Sequence, residues 1–424
     1  YACGISPYAA THDRTARAGN ADFCRAGRTG GDAVMAKLGL VITQVRGVSY
    51  SPKDLHDSLN DESIILLRAN NIKDGKINFD DVVYIDKKKV NKNQYLCRGD
   101  VLICTSSGSK ELVGKAAFFS ENTIATFGAF CKVIRPSIPC KEFIGHFFNS
   151  PFYRREISSL SSGANINNIR NEHIDNLEMN LPTENIQEAI TRRLNFLNSL
   201  IESRQKQLSK LDQLVKSRFI EMFGDPVENP HHWTISRLEH SIKFITSGSR
   251  GWSQWFSNDG EFFITIKNVK NSKIIFNEVQ YIHPPKNAEA ARTKVQEDDL
   301  LISITADLGR TGVVTKFIAE KGAYINQHLT CIRLDKSRLL PLFVSYFLES
   351  PAGKKQFSQK NQTGVKAGLN FDAIKSLQIF TPPLSLQEQF IAFVQQVDKA
   401  KSSVKQSLEK LETLKKSLMQ EYFG

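Results

Sequence analysis

Leu181-Pro182, Ile186-Gln187-Glu188 and Glu221-Met222-Phe223-Gly224 recur as Thr381-Pro382, Leu386-Gln387-Glu388 and Glu421-Tyr422-Phe423-Gly424. Between these anchors Leu208, Lys210, Leu211, Leu214, Lys216 and Ser217 match Leu408, Lys410, Leu411, Leu414, Lys416 and Ser417, always 200 residues on and without a gap. A register held over such a span marks an internal repeat, and a repeat governs the reading of everything around it.

Each copy reads as a long helix. Leu194, Leu197, Ile201, then Leu208, Leu211 and Val215 recur three, four or seven apart, as do Val394, Val397, Val404, Leu408, Leu411 and Leu418. That is a heptad seam, expected to form a coiled-coil interface. Arg204, Arg218, Lys401 and Lys415 interrupt it. Pro182 and Pro382 stand just before the helices, and Gly224 sits at the stop of the first. The reading is two helices that pack on each other, each preceded by one globular module.

Working outward, a chain of 424 residues suggests two or three domains. No apolar run is long enough to span a membrane. The first residues lack the apolar stretch of a signal peptide. A net charge of +12 and a pI near 9.2 favour an acidic partner, with nucleic acid foremost. The seven cysteines are odd in number and contain no Cys-x-x-Cys pair, which points to reduced thiols in a cytoplasm. Residues 1–34 contain no Lys and no periodicity, and read as a non-native leader or a disordered basic arm touching DNA phosphate.

The modules occupy 35–180 and 225–380, with helices at 181–224 and 381–424. Strands are expected at Ile64–Leu67, Val82–Ile85, Val101–Cys104 and Cys131–Ile134, and a helix at Phe143–Phe148. Asn71-Ile72-Lys73 matches Asn268-Val269-Lys270, Tyr84-Ile85 matches Tyr281-Ile282, and Asp100-Val101-Leu102-Ile103 matches Asp299-Leu300-Leu301-Ile302. Gly114 is paired with Gly312, and Ser150-Pro151 with Ser350-Pro351. Between anchors the modules diverge, as one scaffold carrying two recognition surfaces would.

The order of these features resembles the specificity subunit of type I restriction–modification enzymes. Met222-Phe223-Gly224-Asp225-Pro226, Asn229-Pro230 and Trp233 are similar to that family's entry into its second module. Leu66-Leu67-Arg68, Asn70-Asn71-Ile72 and Asn326-Gln327-His328 add to the likeness, which covers the chain from residue 36 onward and leaves 1–34 unexplained. The resemblance implies an α+β fold with two target-recognition domains and two helices forming an antiparallel coiled coil, pseudo-twofold overall. It implies that each domain reads half of a split target in double-stranded DNA. The helices would hold the domains apart and dock two methyltransferase subunits, and the complex would recruit restriction and motor subunits. S-adenosylmethionine, ATP and magnesium would belong to those partners, with no cofactor on this chain.

No Gly-x4-Gly-Lys phosphate loop, dinucleotide fingerprint or base-flipping Asn-Pro-Pro-aromatic run is present, so neither a catalytic nor a metal residue is assigned. Two other classes stay open at this point: a stand-alone methyltransferase or nuclease with an unrecognised site, and a structural coiled-coil adaptor. Loop residues able to grip phosphates or read base edges are the DNA-binding candidates. In the first module these are Arg46, Ser49, Tyr50, Arg68, Asn70, Lys73, Ser107, Ser109, Lys110, Asn165, Asn167, Asn168 and Arg170. In the second they are Ser247, Ser249, Arg250, Trp252, Lys267, Asn268, Lys270, Arg310, Gln327, His328, Gln362, Thr363 and Lys366.

Overall fold

The computed structural model describes residues 34–109, 111–162, 168–276, 278–360 and 368–424. The expected leader, apart from Val34, lies outside them. The chain forms two compact units, one running to Glu202 and taking back Glu409–Gly424, the other Ser203–Leu408. Each mixes helix and sheet, as the α+β reading requires.

In the first unit Ser63–Leu67, Val83–Asp86, Val101–Cys104 and Cys131–Pro136 are strands and Lys141–Phe147 is a helix, close to the sequence expectation. One sheet runs Ile42–Arg46, Cys131–Pro136, Val101–Cys104, Ala116–Phe118, then the hairpin of Lys76–Ile77 and Ile72–Lys73. A second carries Ala125–Phe127 parallel to Ser63–Leu67, then Val83–Asp86. Val34–Lys37 pairs antiparallel with Glu178–Leu181, so pairing begins inside the stretch expected to be leader. All four residues of Val101–Cys104 are buried, which explains its uninterrupted apolar reading.

The second unit repeats the plan. Ile242–Ser247, Leu329–Leu334, Leu300–Ser303 and Thr311–Val313 form one sheet, and Ala323–Ile325 runs parallel to Glu261–Ile264 in another. A short helix, Ala288–Thr293, is set between Gln280–Ile282 and Leu300–Ser303. Corresponding strands carry the same ion pair: Arg135 grips Asp100 at 2.9 and 2.8 Å, and Arg333 grips Asp299 at 2.7 and 2.8 Å. Both aspartates are buried and also accept a backbone N–H, from Cys97 and Gln296. Each carboxylate holds its arginine above the usual guanidinium range.

The strand registers correct one sequence match. Leu301 pairs with Gly312 as Leu102 pairs with Ala117, so Gly312 stands where Ala117 does. The partner of Gly114 (φ +79°) is Gly309 (φ +73°). A Cβ at either would strike the side chain of Ile157 or Phe357, two residues at the same place on matching helices. The loops before these strands differ in length, which displaced the match.

Glu184–Phe223 and Leu384–Phe423 are helices of 40 residues each. In the first unit Ile190 and Leu194, near the start of one, share a core with Met419 and Phe423, at the end of the other. In the second unit Val215, Phe219 and Phe223 share a core with Phe390, Val394 and Val397. Phe423 meets Phe143 at 5.2 Å, and Phe223 meets Phe343 at 4.8 Å. Of the twelve expected seam residues, Leu194, Leu197, Val215, Val394, Val397 and Val404 are buried; Ile201, Leu208, Leu211, Leu408, Leu411 and Leu418 are half-buried. Lys401, also on the seam, donates to Asp212 at 2.6 Å.

The repeated motifs turn out to be fasteners. Gln187 Nε2 donates to Pro182 O at 2.7 Å and Gln387 Nε2 to Pro382 O at 2.9 Å, tying each helix to its incoming loop. Gly224 takes φ +78° at the end of the helix, and a Cβ there would hit Pro230. Trp233 Nε1 then donates to Phe223 O at 3.0 Å, and Asn229 clamps Trp233 through two hydrogen bonds.

Candidate nucleic-acid interface

The sheets of each unit end in a cluster of tight turns. In the first, Gly47 lies so close to the carbonyl of Gly128 that no Cβ fits; in the second, Gly248 lies against the carbonyl of Asn326 in the same way. Val48 N then donates to Phe127 O at 2.8 Å, and Ser249 N to Ile325 O at 2.9 Å. Thr105 N donates to Phe130 O at 2.9 Å, and Ile304 N to His328 O at 3.0 Å. Ser106 bridges Asn168 as Thr305 bridges Gly368. One backbone frame is thus built twice, and it makes position equivalents of Ser49 and Arg250, Ala129 and Gln327, Phe130 and His328.

In the second unit this frame gathers expected DNA-binding residues. Arg250 Nε donates to Gln327 Oε1, Gln327 Nε2 lies 3.3 Å from His328 Nε2, and His328 Nδ1 lies 2.8 Å from Thr305 Oγ1. The result is a preset row of donors and acceptors, suited to base edges. Ser247 lies beside it, its carbonyl accepting from Arg292 Nη1 at 2.8 Å. Arg310 sits on a neighbouring turn, its guanidinium paired with Asp307.

In the first unit Arg46, Ser49 and Tyr50 flank Gly47 and Val48, Asn168 bridges Ser106, and Ser107, Ser109 and Arg170 follow within a few residues of that bridge. Arg46 is exposed and, among the described residues, has no ion pair, which leaves its charge available to a phosphate. Buried Lys132 Nζ donates to Gln44 Oε1 at 2.8 Å and Asn171 Oδ1 at 2.5 Å, fastening the helix Asn171–Asp175 that follows Asn168 and Arg170. Burial lowers the Lys132 pKa, with Asp175 pulling it back up. Arg68 and Asn70 are both held by Asp81.

Three expected interface residues are interior instead. Ser249 is 2% exposed, its hydroxyl 3.0 Å from Thr293 Oγ1. Trp252 is 5% exposed, stacked 6.2 Å from Phe263, and donates from Nε1 to Glu289. Asn268 is 2% exposed and accepts from Thr265 N while donating to Ile275 O, the turn-closing role Asn71 has with Arg68 and Asn78. A satisfied buried polar group costs little and is local architecture, not a reader. Lys267 pairs with Glu278. Lys73 and Lys270 stand on short hairpins whose other lysines, Lys76 and Lys273, pair with the long helices through Glu202 and Asp398. Lys110, Asn165, Asn167, Gln362, Thr363 and Lys366 lie outside the described residues.

Sequence reasoning missed three residues here. Phe130 is 71% exposed at the tip of the turn. Gln94 Nε2 donates to Arg46 O at 3.0 Å, as Arg292 does to the equivalent Ser247 O. Aligning Cys131–Arg135 with Leu329–Arg333 would have set Phe130 opposite His328, a signal present in the chain but hidden by the difference in residue type.

Two duplicated frames, each with its own polar fringe and closed by a repeated helix, define a protein that presents two unlike recognition surfaces on one scaffold. The chain matches the type I restriction modification DNA specificity domain over residues 41–213 and 256–413, and it belongs to that family as a DNA sequence-recognition subunit. It is 29% identical over 411 residues to the type I restriction enzyme EcoKI specificity subunit of Escherichia coli K12, covering 92% of this chain and 88% of that one. Against the StySPI specificity subunit of Salmonella potsdam it is 28% identical, with the same coverage. A crystal structure of the S subunit from M. genitalium shares the fold at a TM-score of 0.54 and 13% identity, over 94% of this chain and 97% of that one.

Proposed function

We propose that the modules at 35–180 and 225–380 each read one half of a bipartite, asymmetric DNA target. The carrying observation is the twice-built frame with unlike side chains: Ser49 against Arg250, Ala129 against Gln327, Phe130 against His328. Identical geometry with different chemistry is what two different half-sites call for. The helical segments 181–224 and 381–424 form an antiparallel coiled coil of pseudo-twofold design that sets the spacer. In support, each unit packs the start of one helix beside the end of the other. Exposed Ile186, Phe196, Leu214, Ile220 and Leu414 on the helices offer apolar docking area to two methyltransferase subunits, which bring in restriction and motor subunits. S-adenosylmethionine, ATP and magnesium are held by those partners, this chain binds no cofactor, and the complex works in the cytoplasm. Among the described residues no helix is long and apolar enough to cross a membrane.

Co-expression with the methyltransferase, followed by genome-wide methylation mapping, tests the reading. A split, asymmetric motif is expected. Exchanging residues 35–180 for the same module of a relative should change one half of it. Methylation or cleavage by the purified chain alone would overturn the non-catalytic assignment, and simultaneous change of both halves would overturn independent reading.

A further inference from the structure

We infer that Phe130 is a base-reading residue of the first module, making an apolar contact with a thymine 5-methyl group in the major groove. The inference deepens, and rests on, the half-site reading above. A phenylalanine in a folded domain normally lies inside, yet this residue is 71% exposed, more than any other phenylalanine among the described residues. It does not hang from a loose loop. Its carbonyl oxygen accepts from Thr105 N at 2.9 Å, Ser106 N at 3.1 Å and Thr105 Oγ1 at 3.2 Å. The backbone is held while the side chain is presented, which is how an aromatic anchor binds with little loss of conformational freedom.

Its place says what it meets. Phe130 is the position equivalent of His328, which stands in the row Arg250–Gln327–His328–Thr305. That row can tell all four base pairs apart only in the major groove, where each pair shows a distinct pattern of donors and acceptors. Because the frame is the same, the turn of the first module addresses the same groove. There the apolar feature is the thymine methyl, and Phe is among the side chains that contact it. Ala129 and Ser49, small where the second unit has Gln327 and Arg250, leave the ring room to approach. Exposed Arg46, on the adjacent strand, supplies charge for the flanking phosphate.

The test uses the full chain with its methyltransferase and the target found by methylation mapping. Each thymine of the first half-site is replaced singly by deoxyuridine, which lacks only the methyl group. One replacement should weaken wild-type binding about three- to tenfold. The same replacement should be silent with Phe130→Ala and keep part of its effect with Phe130→Leu, while the second half-site stays unaffected in all three proteins. Phe130→His carries the same test should the alanine variant fail to fold. A first half-site without an A·T pair, no deoxyuridine penalty, or a penalty that survives Phe130→Ala would overturn the contact. So would a Phe130-dependent rise in 2-aminopurine fluorescence without a deoxyuridine penalty, which would make the ring a wedge between base steps. A wild-type complex with no sequence preference would remove the half-site reading itself; a selective complex indifferent to thymine methyls removes the Phe130 contact alone.

Discussion

Arg250 is exposed, lies on the turn after Ile242–Ser247 and is tied to Gln327. Arg250→Ala should weaken binding to the second half-site by about 1–3 kcal/mol and relax its sequence preference, leaving the first untouched. Competition binding with duplexes mutated in one half at a time checks this. A second prediction concerns His146. Asn195 Nδ2 is engaged with Glu142 Oε2 at 2.6 Å, so its Oδ1 faces His146 Nε2 at 2.9 Å and accepts the imidazole proton. Burial pushes the His146 pKa down to about 4, with Asn195 and Glu142 raising it and Lys415 lowering it further. The unfolded chain takes up a proton near pH 6.5 that the folded unit refuses. Stability is therefore full above about pH 6.5 and falls toward pH 4, by roughly 1.4 kcal/mol per pH unit. Denaturant melts at several pH values should show this in wild type, and His146→Gln should flatten it. Residue-level meaning was only partly legible in the sequence. Polarity marked Arg250, Gln327 and His328, which the fold brings together, but also marked Ser249 and Asn268, which it buries, because a sequence does not show which polar groups find partners inside. Phe130 escaped for the converse reason: its composition says core, and only its turn says surface.

The long helices were the most legible elements, since their period and duplication are written in the chain. Their mode of attachment was not. Phe423 and Phe223 look like ordinary helix ends, yet each plugs a core: Phe423 against Phe143 and Phe147, Phe223 against Phe343 and Phe390. Phe423→Ala should cost about 3–5 kcal/mol, the usual range for deleting a buried phenyl ring. Leu414→Ala, on an exposed position of the same helix, should stay within about 0.5 kcal/mol. Chemical denaturation of the two variants compares them; equal losses would mean that Phe423 is not a core residue. Leu414 and Leu214 had matched in sequence, and their shared exposure shows that a repeat preserves outward positions as well as the seam. The Gly114–Gly312 mismatch belongs to this scale too, because loop lengths between strands are set by packing and not by periodicity.

At the scale of the molecule, the proposed ruler can be lengthened. Seven residues added after Leu208 and after Leu408 preserve the seam and extend each helix by about 10 Å. At about 3.4 Å per base pair, the spacer of the methylated motif should grow by about three base pairs. The half-site sequences should stay as they were, because every reading turn keeps its own frame. The added length also turns one half-site by roughly a third of a helical turn, so affinity should drop by a few kcal/mol unless the DNA twists to follow. Methylation mapping with the lengthened chain reads both quantities, and an unchanged spacer in an active complex would show that the helices do not set it.

The first unit takes its last strip, Glu409–Gly424, from beyond the whole of Ser203–Leu408. On a ribosome adding about 5–20 residues per second, the emerging first module waits roughly 10–40 s for Met419 and Phe423. During that interval Phe143 and Phe147 lack the Phe423 ring that packs on them in the folded unit. Chains released before residue 409 never gain it. The order of synthesis therefore sets when this half is finished: a product lacking residues 409–424 loses Met419 and Phe423 from the core of its opening half and should be the less stable for it.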